Sequence, residues 1–329
     1  MCLLLRRTRV AWISNAAASA KFDSKQSAAN MARRALSTSE PNSKGALCCA
    51  VVYVSDGRDH ALLDTLADAA SATAPRTAGL IRQFRDPQYH RTGFTIGGHP
   101  NAVARASIEL SRRALAAIDL NRHEASHPRI GVVDHVSVHP LGDDASSKES
   151  ARRVGFTIAA ALGEEEGLPV LLYGDLKNGM RLAEVRRSTP YFAGGDLPAT
   201  IDADLGPSEV DPSRGIATIG CTPLVTNYNL LLSTDDRRLA ARVIRRLREK
   251  DGGLPWVEAL TLEREDGTFE AACNLLRPKV TTPALVLRVA EEQAAALGIR
   301  ILQHYETGLA EEEATLAIAR LLSSGGREA

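Results

Sequence analysis

The chain has 329 residues, of which 44% are hydrophobic and 24% are charged. That length predicts about two domains, and that composition excludes disorder over the whole chain. Lysine and arginine together number 40, aspartate and glutamate also number 40, and aromatic residues make up only 4%. We therefore expect no nucleic-acid partner, because general positive charge and rings for base stacking are both lacking. The sequence has no run of about 18 uncharged apolar residues, so we expect no membrane-spanning helix.

The first 47 residues differ from the rest of the chain in charge. They carry eight basic and two acidic side chains, a net charge of +6 that leaves −6 on residues 48–329. The basic residues are Arg6, Arg7, Arg9, Lys21, Lys25, Arg33, Arg34 and Lys44. Segments rich in Arg, Ser and Ala and poor in acids are typical of transit peptides, so residues 1–47 predict a mitochondrial or plastid address. The alternatives are a disordered extension or initiation at Met31, with a cytoplasmic protein.

Cysteine and histidine spacing gives no sign of a metal site. The five cysteines are odd in number and lack C-x-x-C spacing, which indicates a reducing compartment rather than a disulfide framework or a zinc ribbon. His135 and His139 share one face of a predicted strand, but four residues at about 3.3 Å each hold them too far apart to share an ion. His123 and His127 lack a completing Cys or carboxylate pair. We expect no bound metal.

From residue 48 onward, strand and helix patterns alternate. Short apolar runs bounded by turns predict strands, and apolar residues at helical spacing predict helices. The first half is predicted to contain a strand at 50–54, a helix at 58–73, strands at 79–84 and 91–96, a helix at 100–118, a strand at 130–138, a helix at 147–166 and a strand at 170–173. The first six elements follow the order β-α-β-β-α-β.

The second half repeats this order. It is predicted to contain a strand at 222–232, a helix at 235–249, strands at 256–264 and 269–276, a helix at 282–297 and a strand at 299–303. Two such units predict an α/β (α+β) fold with two ferredoxin-like subdomains, at residues 48–220 and 221–329. A sheet covered by helices on one face must bury its other face. Packing of the two sheets against each other would leave a central ligand groove.

Residues 188–220 connect the two halves without clear periodicity. They contain four prolines, and a connection of this length is usually a functional loop or a linker. Within it, residues 206–215 begin and end on glycine and contain two Pro-Ser steps, which suits the binding of a planar polar ligand. A plain surface loop is the alternative interpretation.

Two polar clusters carry candidate catalytic and binding residues. Pro128 biases His127 towards extended backbone at the mouth of a strand, where an imidazole can move a proton near neutral pH. Arg129 follows as a partner for an anionic group. Arg91 could bind a carboxylate with two hydrogen bonds while Asp86 orients it. The alternatives are a solvated loop histidine for His127 and a polar hairpin cap for Arg91.

Several of these segments together resemble the formiminotransferase domain family. The resemblance covers nearly all of residues 48–310 in the right order. Its most specific element is His127-Pro128-Arg129 with its flanking residues. The other matching segments are His90-Arg91-Thr92, Leu172-Tyr173-Gly174, Gly206-Pro207-Ser208, Thr226-Asn227-Tyr228-Asn229 and Asn274-Leu275-Leu276.

The resemblance implies transfer of a formimino group from formiminoglutamate to N5 of tetrahydrofolate, the co-substrate. The family's catalytic histidine corresponds to His127, as general base, and its folate-binding loop corresponds to Gly206, Pro207, Ser208, Glu209, Val210, Asp211, Pro212, Ser213, Arg214 and Gly215. Arg91 and Arg129 are our own candidates for the substrate carboxylates. The family suggests a homodimer, and we expect a stand-alone, plant-type member without the cyclodeaminase domain.

Some residues depart from the family pattern. A Pro-Asn-Phe-Ser-Glu-Gly stretch is replaced by residues 52–57, and aromatic positions of the folate loop are taken by Val210 and Arg214. These departures motivate an alternative function, a folate-binding protein that transfers no group or acts on an altered substrate. Ferredoxin-like sheets also bind RNA in other proteins, but strand 268–274 shows no ladder of aromatic residues.

Overall fold

The computed structural model of the protein describes residues 30–31, 46–125, 129–187, 189 and 197–324. These residues form a mixed α/β fold with two sheets, of six and four strands, and seven α-helices. The strands are β1 (Leu47–Val54), β2 (Ala78–Asp86), β3 (Arg91–Gly98), β4 (Val133–Leu141), β5 (Val170–Gly174), β6 (Ala217–Cys221), β7 (Thr226–Leu232), β8 (Val257–Glu263), β9 (Phe269–Leu275) and β10 (Ile301–Glu306). The helices are α1 (His60–Thr73), α2 (Pro100–Ala117), α3 (Ala145–Ala160), α4 (Leu182–Arg187), α5 (Arg237–Leu247), α6 (Pro283–Ala295) and α7 (Glu311–Ser324).

Most of the predicted targeting segment, residues 1–47, lies outside the described residues. Only Asn30, Met31, Ala46 and Leu47 are described from it. Of the helices that the structure describes, none is long and apolar enough to cross a membrane.

The six-stranded sheet has the order β2-β3-β1-β4-β6-β5. Strand β1 is almost entirely apolar and pairs antiparallel with both β3 and β4, which places it inside the sheet. Helices α1, α2 and α3 pack on one face of the sheet. Asp59 and Asp144 begin α1 and α3 by accepting hydrogen bonds from backbone N–H groups of the first turn. The opposite face is left for the second sheet.

The four-stranded sheet has the order β10-β7-β9-β8, with every pair antiparallel. Its elements follow the β-α-β-β-α-β order predicted for the second half. Helix α5 buries Ala240, Val243, Ile244 and Leu247 at helical spacing against this sheet, and its arginines face solvent. Helices α5 and α6 therefore cover one face, and the other face points to the six-stranded sheet.

Strand β6 corrects the sequence-based interpretation of the connection. Residues 217–220 are expected to lie in the connection at 188–220, but residues 217–221 form a buried strand that pairs parallel with β4 and β5. The strand predicted at 222–232 begins only at Thr226. A five-residue strand buried on both faces shows no alternation of apolar and polar residues, so periodicity alone could not identify it.

Helix α7, which the sequence analysis did not predict, returns from the second half of the chain to the first sheet. It contacts β2 and β3. The side chain of Ile318 is fully buried over Gly97, where a Cβ atom would lie only 2.6 Å from Ile318 Cγ1. Gly79 provides the same close approach for Leu321. The two glycines thus make the flat surface on which α7 packs.

We predict that Ile318→Ala lowers the free energy of unfolding by about 3 kcal/mol, because it removes a buried side chain and leaves a cavity. Leu316→Ala is the matched control on the same helix, since Leu316 is 52% exposed, and its effect should stay within about 0.5 kcal/mol. Urea unfolding of both variants measures the difference. Equal effects would contradict the packing of α7 on Gly97.

Candidate functional site

A cavity of about 380 Å³ lies between the two sheets. Strand alternation determines which side chains reach it. Along β1, Cys48, Ala50 and Val52 belong to the core under the helices, whereas the residues between them line the cavity. The same alternation places polar residues of β4, β7 and β9 between the sheets. The lining residues include Tyr53, Arg91, Arg129, Asp134, His135, Ser137, His139, Tyr173, Arg181, Arg186, Asn227, Asn229, Trp256, Glu258, Asn274, Arg277 and Ala314.

The side of the cavity formed by the six-stranded sheet, here called the floor, contains a buried ion cluster. Asp134 is 2% exposed and accepts a hydrogen bond from Arg186 Nη2 at 2.6 Å, with Arg129 Nη1 3.5 Å from the same oxygen. Its other oxygen accepts the N–H of Ile130 at 2.9 Å. Burial alone would raise the pKa of Asp134, but the two guanidinium groups outweigh it and hold the pKa well below its usual range. One carboxylate therefore positions two arginines.

Arg129 stays charged in this cluster. Burial lowers the pKa of its guanidinium to about 10, against the opposing attraction of Asp134. A buried cation that borders a cavity is well suited to bind an anion, because the interaction is not screened by water.

Arg91 lies at the same side of the cavity and is held as the sequence analysis expected. Its Nε donates to Asp86 Oδ2 at 3.1 Å. Its guanidinium lies 5.7 Å from the ring centroids of both Tyr53 and Tyr89. These contacts restrict the side chain, while its role towards a substrate carboxylate stays a prediction.

Polar residues of β4 continue along the floor. His135 Nε2 lies 2.6 Å from the hydroxyl of Tyr173, and His139 Nε2 lies 2.9 Å from Ser137 Oγ. His139 Nδ1 lies 3.0 Å from the carbonyl oxygen of Thr222, which can only accept, so this nitrogen carries the proton. Burial lowers the pKa of His135 to about 3 and that of His139 to about 4. Both imidazoles are therefore neutral at neutral pH.

The opposite side, formed by the four-stranded sheet and here called the roof, presents carboxamides. Asn227 Nδ2 donates to Asn274 Oδ1 at 2.6 Å. Asn229 Nδ2 donates to the fully buried carboxylate of Glu270, which also lies 3.1 Å from the Tyr305 hydroxyl. Because Glu270 engages the amide nitrogen, Asn229 keeps Oδ1 as an acceptor. The roof can therefore recognise the polar edge of a ligand.

A tryptophan and two arginines form part of the rim. Trp256 has the uncommon positive φ of 61°, and its backbone N–H donates to Glu249 Oε1 at 3.0 Å. The guanidinium carbon of Arg277 lies 3.8 Å from the centroid of its ring, and that of Arg181 lies 5.2 Å away. Among the described lining residues, five arginines face two acids, Asp134 and Glu258. The cavity is thus positively charged overall.

The predicted site residues differ in how far the structure describes them. His127 lies outside the described residues, between Ala125 and Arg129. Arg91 and Arg129 both line the cavity. The loop at 206–215 is described, but it contributes nothing to the described lining. It is instead tied to the segment that follows His127, through a bridge between Gly131 and Gly215.

Several lining residues were not identified from the sequence as site residues. Arg186 lies in a short helix within a segment that carried no motif. Tyr53 was noted only as a departure from the family pattern, and Asn227 and Asn229 only as part of a matching segment. Strand alternation could have grouped the polar residues of β4 and β7, because polar side chains on the face opposite the helices are unusual between two sheets.

Comparisons with known proteins agree on one family. The family model described as "Formiminotransferase domain, N-terminal subdomain" matches residues 47–222. The chain is similar to the formiminotransferase cyclodeaminase-like protein of Arabidopsis thaliana, with 32% identity over 77% of this chain and 91% of that protein. It is also similar to the glutamate formimidoyltransferase of Thermoplasma acidophilum, with 26% identity over 81% of this chain and 88% of that protein. The formimidoyltransferase-cyclodeaminase of Mus musculus is 27% identical over 80% of this chain, which spans 50% of the mouse protein.

We predict that the neutral histidines make the fold sensitive to mild acid. The pKa of His139 is about 4 in the folded protein and about 6.5 in an unfolded chain. Between these values the unfolded chain binds a proton that the folded protein does not, so stability falls as the pH drops from about 6.5 to 4.

His139→Gln should remove up to about 3 kcal/mol of this pH-dependent loss, whatever its effect on stability at neutral pH. The control is His304→Gln, because His304 is exposed. Unfolding free energies measured between pH 4 and 7.5 give the slope. A slope that is the same in His139→Gln and the wild type would contradict the prediction.

Proposed function

Because the chain belongs to the formiminotransferase domain family, we propose that it transfers a formimino group from formiminoglutamate to N5 of tetrahydrofolate. The observation that carries the proposal is the positively charged cavity between the sheets, with Arg91 and Arg129 in its lining. Both substrates carry carboxylates, which guanidinium groups bind with two parallel hydrogen bonds. The volume of about 380 Å³ is in the range of small-molecule sites.

The reaction needs a group that moves a proton. N5 attacks the amidine carbon, a tetrahedral intermediate forms, and the bond from carbon to the glutamate nitrogen breaks. The proton on N5 must leave as the new bond forms, and the glutamate nitrogen must gain one. We assign this transfer to His127 as general base. The adjacent Arg129 is held by Asp134, which supports a site for substrate carboxylates beside that histidine.

The loop at 206–215 is proposed to bind folate from outside the described lining. Ile216 N–H donates to the Ile130 carbonyl at 2.7 Å, and Val132 N–H donates to that of Arg214 at 2.9 Å. The loop is thereby connected to residues 130–132, which follow His127 and Arg129 in the sequence. A folate held there would lie within reach of both segments.

The alternative function is folate binding without transfer, or transfer from another donor. Val210 and Arg214 stand where the family has aromatic residues, and this favours a changed mode of ring binding. Division into subdomains at residues 48–220 and 221–329, a homodimer, and an organelle address in residues 1–47 also remain proposals that accompany the family membership.

We predict that His127→Ala loses turnover but still binds tetrahydrofolate, because it removes the base and leaves the arginines in place. Calorimetric titration with tetrahydrofolate, followed by formiminoglutamate and a glutamate assay, measures both properties on one sample. His304→Ala is the control. Wild-type binding without glutamate release would favour the alternative function, and unchanged turnover in His127→Ala would refute the assigned base.

We predict that Arg129→Gln raises the KM for a carboxylate substrate by roughly 10- to 100-fold, as expected for loss of a hydrogen bond to a charged group. Turnover at saturation should fall less. The control is Arg113→Gln, since Arg113 is exposed on α2 and its Nε lies 2.7 Å from Glu109 Oε1 of the same helix. Steady-state kinetics with each substrate varied in turn will identify the one affected. A KM unchanged for both would exclude Arg129 as a carboxylate partner.

A further inference from the structure

Sheet register brings three rings together on the floor of the cavity. Tyr53 on β1 pairs with Gly93 of β3 on one side and with His135 of β4 on the other. Tyr173 on β5 pairs with Gly220 of β6. Side chains at paired positions share one face of a sheet, so Tyr53 and His135 point the same way. All three rings line the cavity.

The two glycines allow the tyrosine rings to lie over the sheet. A Cβ atom on Gly93 would lie 2.9 Å from Tyr53 Cε1, and one on Gly220 would lie 2.3 Å from Tyr173 Cζ. Any side chain at either position would therefore displace the ring that covers it. Each tyrosine is held against the backbone of the neighbouring strand at the border of the cavity, where Tyr53 is half-buried and Tyr173 is buried.

The ring of His135 neighbours the rings of both tyrosines. Its ring is nearly parallel to that of Tyr53, with 13° between the planes and 5.7 Å between the centroids. Its centroid lies 5.6 Å from that of Tyr173, whose ring is tilted by 41°, and the hydrogen bond at Nε2 fixes the orientation of His135. Within the part of the chain that the structure describes, Nδ1 of His135 makes no hydrogen bond. This nitrogen is left for a ligand.

We propose that Tyr53 and His135 form an aromatic floor on which the planar heterocycle of the ligand stacks, with the buried Tyr173 as the residue that holds His135 in position. The inference rests on the proposed function and specifies which half of a folate the cavity holds. A pterin carries donors and acceptors around its edge, which can pair with polar groups of the cavity such as the carboxamide of Asn229 on the roof. An aminobenzoyl ring offers fewer polar groups to such an environment.

The aromatic floor also accounts for the departures from the family pattern. The loop at 206–215 lacks rings at Val210 and Arg214, and the strands of the six-stranded sheet supply rings instead. The rings for stacking therefore lie on a sheet in this chain, rather than on a loop as in the family pattern. Their positions are fixed by strand register rather than by loop conformation.

The test compares ligands that carry one half of folate each. The full chain is titrated with tetrahydrofolate, with 6-methyltetrahydropterin and with p-aminobenzoylglutamate. Tyr53→Leu and His135→Leu remove a ring and keep apolar bulk, His135→Phe keeps a ring and removes Nδ1, and His304→Leu is the control outside the cavity. The thermal midpoint of each variant shows whether it folds.

Both leucine variants should bind 6-methyltetrahydropterin and tetrahydrofolate roughly 10-fold more weakly, the effect of losing one stacked ring. Their affinity for p-aminobenzoylglutamate should stay within about 2-fold of the wild type, as for the control. His135→Phe should lose less pterin affinity than His135→Leu, because it retains the stacking surface.

Equal losses for the two half-ligands, or unchanged binding of tetrahydrofolate, would overturn the aromatic floor while leaving the proposed function in place. A wild-type protein that binds neither tetrahydrofolate nor 6-methyltetrahydropterin would instead refute the proposed function, and the inference with it. The two failures are therefore distinguishable on the same set of titrations.

Discussion

The buried carboxylate of Asp134 is the interaction on which the arrangement of the cavity depends. It accepts hydrogen bonds from Arg186 and from the N–H of Ile130, and the backbone oxygen of Asp134 accepts the hydroxyl of Thr218 at 2.9 Å. These contacts join the start of β4 to helix α4, to strand β6 and to the segment that follows His127. Without a negative charge here, two guanidinium groups could not share one dry pocket, since the cost of burying an unpaired cation is several kcal/mol. The charge balance of this cluster and the packing of the elements around it therefore both depend on Asp134.

Polar residues replace the usual apolar contact between the two sheets. Two sheets that pack face to face normally interdigitate apolar side chains, but here His135, Ser137 and His139 face Asn227 and Asn229. Each of these groups has a hydrogen-bond partner within its own sheet, such as Tyr173 for His135 and Glu270 for Asn229. Neither sheet therefore needs the other to satisfy its polar atoms. The space between them can remain open to a ligand without loss of the fold.

The sequence was sufficient to predict the order of most elements, because that order depends on local periodicity. Helix α2 and strand β9, for example, lie within a residue of their predicted bounds. Strand β6 was missed because five buried residues carry no alternation, and helix α7 was missed although Ala314, Ile318 and Leu321 have helical spacing. Arg91 and Arg129 were found through local motifs. Arg186 and the ring of Tyr53 could not be found in this way. Their contacts join elements that are distant in the sequence, and these contacts depend on strand register.

Because helix α7 lies late in the sequence, the completion of the cavity depends on the order in which the chain is synthesised. The helix packs on β2 and β3, and its buried Ala314 lines the cavity together with residues as early as Cys49. The site therefore consists of contacts that span more than 260 positions of the sequence. Such non-local contacts form late, since loop-closure entropy opposes them until the intervening chain has folded. On the ribosome, helices α1, α2 and α3 can pack on the first sheet before any element packs on the opposite face of that sheet. The lining of the cavity is complete only once residues 311–324 have emerged and docked.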